Sequence, residues 1–99
     1  MITFTTEDRP DMTIVSFDTS GAVVPEELGQ THPPAVAGTK GVVLSGRGPV
    51  WLYAFLTHHY HPTLWVATFD PRLGGAVVVE SHGGPAVGTV VPVPGLGGT

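Results

Sequence analysis

The side chains of this sequence best suited to chemistry gather between residues 41 and 82. Ser45-Gly46-Arg47-Gly48-Pro49 combines a hydroxyl, two glycines and a guanidinium, a group that can bind phosphate through two parallel hydrogen bonds. A histidine run follows at His58, His59 and His61. Histidine titrates near neutral pH and can act as acid or base. Asp70-Pro71-Arg72 then sets a second cation beside a carboxylate able to hold a metal ion or orient a nucleophile. His82 closes the stretch. Read from the residues alone, this set supports an anion- or nucleotide-binding α/β domain and stops short of a reaction.

The elements around these residues decide which of them can meet. Residues 42–44 are an apolar run rich in β-branched side chains, the pattern of a strand buried on both faces. The turn 45–48 follows, and Pro49 suits a helix's first position, where its missing N–H would have no partner anyway. Residues 50–60 continue as a helix with Trp51, Leu52, Phe55 and Leu56 on a broad apolar stripe, stopped by Pro62. Residues 63–69 form a second apolar strand. Two parallel strands joined by a helix make a crossover that is nearly always right-handed. Their carboxyl ends therefore share one edge, where ligands of open α/β sheets bind and helix-start N–H groups favour anions.

Outside this unit, strands are expected at 2–5 and 12–17, flanking a turn at 8–11. Residues 25–28 suit one helical turn ended by Gly29, and 31–40 form an irregular Pro/Gly loop. The turn 71–75 is too short for a crossover, so the apolar strand 76–80 must run antiparallel to its predecessor. Residues 87–93, interrupted by Gly88 and Pro92, read as a weaker edge strand. The expected domain is 1–94, with 95–99 a disordered tail.

Strand direction separates the candidates into two groups. Ser45, Arg47, Asp70 and Arg72 belong to the carboxyl edge; the helix and the antiparallel strand return His58, His61 and His82 to the amino edge. A strand of about seven residues at roughly 3.3 Å each sets the edges about 20 Å apart. Plainer readings stand beside these. A Gly-x-Gly turn can merely connect strand to helix, Asp70-Pro71-Arg72 can be a turn with a surface ion pair, and histidines near a helix C-terminus are favoured by its dipole. No carboxylate or cysteine stands at a spacing that completes a zinc site with the histidines.

Composition narrows the classes of function. At 99 residues the chain is a small domain, for which oligomerisation is a common source of stability. It has no cysteine, so disulfides and thiolate metal sites are ruled out. No apolar run is long enough for a membrane span and no signal pattern opens the chain, which suits a soluble cytoplasmic protein. Net charge is −4 with four basic residues, Arg9, Lys40, Arg47 and Arg72, too few for a stripe that grips long duplex nucleic acid. Two of these four cations nevertheless fall in the paired carboxyl-edge loops, which suits a focused site for a small anion.

The run GVVLSGRGPVWLYAFLTHHYHPTLWVATFDPRLGGAVVVESH resembles the CRISPR-associated ring nucleases of type III systems, the Csx-three (Crn-three) family. SGRGP, the histidine run ending in His61, DPRLGG and a strand ending in Ser-His occur in the family's order. The resemblance implies a small α/β fold similar to CARF sensor domains, built as a homodimer, that cleaves the messenger cyclic tetra-adenylate and so switches off antiviral signalling. By resemblance, His61 and Asp70 match the catalytic residues. Ser45 and Arg72 match ligand contacts, joined by Gly46, Arg47, Gly48 and His58, and His82 matches a further histidine. Manganese-dependent activity is implied, with Asp70 as the candidate metal ligand. A symmetric dimer would present two Arg47 and two Arg72 side chains to the four phosphates. His61 and Asp70, a strand length apart, would meet only if the amino edge of one dimer stacked on the carboxyl edge of another, giving head-to-tail tetramers or filaments. A sensor or sink that binds without turnover, and a manganese-dependent RNA exonuclease, are the alternatives.

Overall fold

Six strands form one mixed sheet in which spatial order equals chain order: β1 (Ile2–Asp8), β2 (Met12–Thr19), β3 (Gly41–Gly46), β4 (Trp65–Asp70), β5 (Gly75–Ser81) and β6 (Val90–Pro92). The computed structural model describes residues 1–96. The central pairs β2–β3 and β3–β4 are parallel, and antiparallel hairpins flank them on both sides. This is the mixed sheet with one main crossover helix that the sequence pattern predicts. Residues 20–40 cross from β2 to β3 through a 3₁₀ turn, Pro25–Gln30, and α1 (Val50–His59) crosses from β3 to β4.

Both faces of the central strands are covered, which is why their sequences are continuously apolar instead of alternating. On one face Val15, Val42, Leu44 and Val66 pack under Leu52, Leu56 and Tyr60 from α1 and its C-cap. The other face carries Met12, Ile14, Val43, Ala67 and Val78, closed by Val91, Val93 and the partly buried Leu96. Trp65 belongs to that second layer, and its indole occupies the space a Cβ on Gly41 would need. Any side chain at residue 41 would displace the ring. Of the stretch expected to be a tail, Gly95 and Leu96 form a turn, and Leu96 packs on this layer; residues 97–99 lie outside the described residues.

Several strand ends shift by one to three residues from the expectation: β1 runs on to Asp8, β4 begins at Trp65 and β6 is confined to Val90–Pro92. Both ends of α1 also differ, each for a local reason. Pro49 is the N-cap of α1, not its first residue, with an extended ψ of 158°. α1 ends at His59, and Tyr60 takes the C-cap with a ψ of 7°. Thr63 is buried there, and its hydroxyl donates to the Tyr60 carbonyl at 2.7 Å, closing the turn into β4. The Tyr60 hydroxyl donates to the Pro34 carbonyl at 2.6 Å, tying the first crossover to the second; burial pushes this phenol up to about 12. Among the described residues no helix is long and apolar enough to cross a membrane.

Candidate functional site

At the carboxyl edge, β3 and β4 end side by side, with Leu44 opposite Thr68 in the register. The loop leaving β3 is fastened from the first turn of α1. The Tyr53 hydroxyl accepts from the Gly46 N–H at 3.1 Å and donates to the Gly46 carbonyl at 2.5 Å. Phe17 meets the Tyr53 ring edge-on, with centroids 5.0 Å apart. A Cβ on Gly46 would collide with the Phe17 backbone carbonyl, so glycine permits the close approach of β2 and this loop. Burial raises the Tyr53 phenol above its ordinary value, opposed by its Gly46 contact. α1 has no side-chain cap at its start; the Leu52 N–H donates to the Pro49 carbonyl at 3.0 Å, while the Val50 and Trp51 N–H groups have no partner among the described residues and remain available to an anion.

Asp70 and Arg72 form a closed pair in the neighbouring turn. Asp70 Oδ1 accepts from the Arg72 backbone N–H at 3.0 Å and from Nε at 3.3 Å, while Oδ2 accepts from Nη2 at 3.0 Å. These hydrogen bonds from Arg72, side chain first, hold the Asp70 carboxyl below its ordinary value. Arg9 and Lys40 are likewise matched, to Glu7 at 2.8 Å and Asp8 at 3.7 Å. Among the described residues Arg47 is the basic side chain without a carboxylate at ion-pair distance.

The amino edge is a histidine and carboxylate cluster. His61 Nδ1 lies 2.9 Å from Glu80 Oε2, and His82 Nε2 lies 3.0 Å from the His61 carbonyl oxygen. The His61 and His82 rings meet edge-on, with centroids 4.8 Å apart. His58, Thr57, His61 and Glu80 line a groove of about 570 Å³ between α1 and β5. His59 lines a different hollow, with Pro34 and Tyr60. The groove reaches Thr68 and Tyr53, which also line the hollow holding Asp70. One flank of α1 thus carries both groups of candidate residues, at opposite ends.

The family model for the CRISPR-associated protein Cas_csx3 matches residues 16–92. The chain belongs to that family. An uncharacterized protein of Aquifex aeolicus (strain VF5) is 53% identical over 76 residues, covering 73% of this chain and 68% of the relative. The Cas_csx3 match spans every candidate residue, from Ser45 to His82.

Within this CRISPR-associated chain the candidates fall into two assemblies. Ser45, Gly46, Arg47 and Gly48 lie at the carboxyl edge with Asp70 and Arg72; His58, His61 and His82 lie at the amino edge, as strand direction predicts. Glu80 and Tyr53 are the functional candidates that sequence reasoning missed. Tyr53 is distinguished only by its spacing from the Gly46 it fastens, and Glu80 only by its nearness to His82. Manganese, implied by the resemblance, finds no fitting donor set among the described residues of one chain. Among the described residues no group of three or more His, Asp or Glu side chains could hold a metal ion. Both Asp70 oxygens are already engaged by Arg72.

Proposed function

We propose that this CRISPR-associated protein is a ring nuclease for cyclic tetra-adenylate, acting in a site shared between stacked copies. One observation carries the reading: parts suited to phosphate and parts suited to proton transfer sit at opposite ends of one sheet. At the carboxyl edge, Arg47 has no carboxylate partner among the described residues, and it stands in a loop held rigid by Tyr53 before an uncapped helix start. Two such edges in a symmetric dimer would bind a ring of four phosphates. At the amino edge, His61 supplies an acid or base. Breaking a phosphodiester requires positioning, proton transfer and stabilisation of developing charge, and neither edge alone offers all three.

Incubating the protein with cyclic tetra-adenylate, with and without manganese, and separating the products by chromatography tests the reading. Linear products are expected, with a rate rising faster than linearly with protein concentration. Intact ligand that stays bound over hours would favour a sensor or sink. That second reading draws on the Asp70–Arg72 pair being closed on itself, as in a structural turn.

A further inference from the structure

β4 and β5 do not pair regularly along their length. Val66 is opposite Glu80 and Ala67 is opposite Val78, so Val79 is an extra residue in the ladder. Side chains alternate along a regular strand, which would put Glu80 on the face of Val78. That face is the layer closed by Val91 and Val93. The bulge instead brings Glu80 level with Val66, which packs in the layer under α1. Glu80 consequently lines the same groove as His61 and reaches its Nδ1 at 2.9 Å. Bulges beside functional sites re-aim side chains in this way.

The hydrogen-bond roles follow from the partners. An ionised carboxylate only accepts, so His61 Nδ1 carries the hydrogen whether the ring is neutral or charged. The His61 backbone carbonyl also only accepts, so His82 Nε2 donates to it. His61 is thereby held at its ring by Glu80 and at its backbone by His82. His61 Nε2 makes no hydrogen bond among the described residues.

We propose that Glu80, aimed by the Val79 bulge, is the positioning residue of His61. It fixes the Nδ1–H form of the ring and so makes Nε2 the nitrogen that takes or gives the proton. A solvated neutral imidazole favours the opposite tautomer, so the carboxylate decides which nitrogen is basic. That the proton belongs to phosphodiester cleavage rests on the ring-nuclease reading; the hold on the tautomer does not. Carboxylates that orient metal-bound histidines change affinity or activity by roughly 10- to 100-fold when removed, and an effect of that size is expected of a carboxylate that orients an acid–base histidine.

The test uses the full chain, ¹⁵N-labelled at histidine, at a pH where His61 is neutral, together with single-turnover cleavage of cyclic tetra-adenylate. Wild type should show His61 protonated at Nδ1. Glu80→Ala should shift the hydrogen to Nε2 and lower the cleavage rate roughly 10- to 100-fold at little-changed KM. Glu80→Gln, whose amide oxygen still accepts from Nδ1, should keep the tautomer and recover most of the rate. An Nε2–H signal in wild type, or a tautomer unchanged in Glu80→Ala, overturns the proposal. Failure of wild type to cleave at all would sink the ring-nuclease reading instead, and the nitrogen signals would still decide what Glu80 does.

Discussion

The two ends of the sheet solve opposite problems. At the carboxyl edge the backbone is fixed and a charge is left over: Tyr53 fastens Gly46 through both backbone groups, while Arg47 has no carboxylate partner among the described residues. At the amino edge the side chains are fixed by one another, through Glu80, His61 and His82. The first arrangement suits recognition of a ligand that brings its own charge. The second suits a proton whose location must be defined before any ligand arrives. In the proposed reading each end supplies one part of the site, and the strand between them keeps the parts of one chain apart.

The strongest way to break this comparison is to separate the ends genetically. His61→Ala should lose nearly all cleavage of cyclic tetra-adenylate, on the order of the 10²–10⁴-fold typical of general acid–base groups. Asp70→Ala, which removes the carboxyl-edge residue that the family resemblance makes catalytic and frees Arg72 from its partner, should lose nearly all of it too. Mixed, a copy carrying His61→Ala can offer its intact carboxyl edge to the intact amino edge of the other variant. Activity should return in part, and light scattering should show ligand-driven growth beyond the dimer. If folded, dimeric variants show no recovery when mixed, the composite site is wrong and the two ends act independently.

Charge recognition should be confined to one end. Arg47→Ala is expected to weaken binding of cyclic tetra-adenylate roughly tenfold or more, the scale of a lost charge-assisted hydrogen bond. Arg72→Ala should follow, moderated because Arg72 must leave Asp70 to reach a phosphate. Arg9→Ala, which removes a cation paired with Glu7 away from both loops, should change binding less than twofold, roughly the level of experimental scatter. Binding titrations decide this, and equal losses at all three positions would mean diffuse attraction.

The crossover and its flanking hairpins were legible because burial on both faces writes an unbroken apolar run. Residues 42–44, 63–69 and 76–80 mark β3, β4 and β5 that way, and the short turn 71–75 fixes the direction of β5. Direction alone then sorted the candidates onto two edges. The bulge at Val79 was not legible: a slip in register depends on which residue of β4 faces which residue of β5, and three successive valines look the same in either register. Glu80 was hidden with it. Tyr53 was hidden for a different reason: its partner is a backbone group, which every residue has, so only the spacing from Gly46 marks it. The ion pair of Asp70 with Arg72 was foreseen as the plainer of two readings.

A smaller effect compares two tyrosines, one for each end. Tyr53→Phe and Tyr60→Phe each remove a hydroxyl that bonds the backbone, so each should destabilise the protein by about 1 kcal/mol in denaturant unfolding. Only Tyr53→Phe should also weaken ligand binding, by a few-fold, because it loosens the loop that carries Arg47. Matching losses of affinity in both variants would show that the loop needs overall stability and not this particular fastening.

The smallest expected change is the titration of Asp70, and it reports on what Arg72 does when ligand arrives. Arg72 holds the Asp70 carboxyl below its ordinary value, so the pair persists through neutral and mildly acidic pH. Its contribution is present above the unfolded carboxyl value and is lost only as pH falls through the lower folded one. Carboxyl ¹³C titration of wild type should therefore place Asp70 below the ordinary carboxylate value of about 3.9, and Arg72→Ala should move it up toward that value. Saturating cyclic tetra-adenylate, added to a His61→Ala background so that it stays intact, should have the same upward effect if Arg72 leaves Asp70 for a phosphate. An Asp70 midpoint that ligand does not move would mean that the pair stays closed. Recognition would then fall to Arg47 and the backbone around it, and Arg72 would be a brace of the turn.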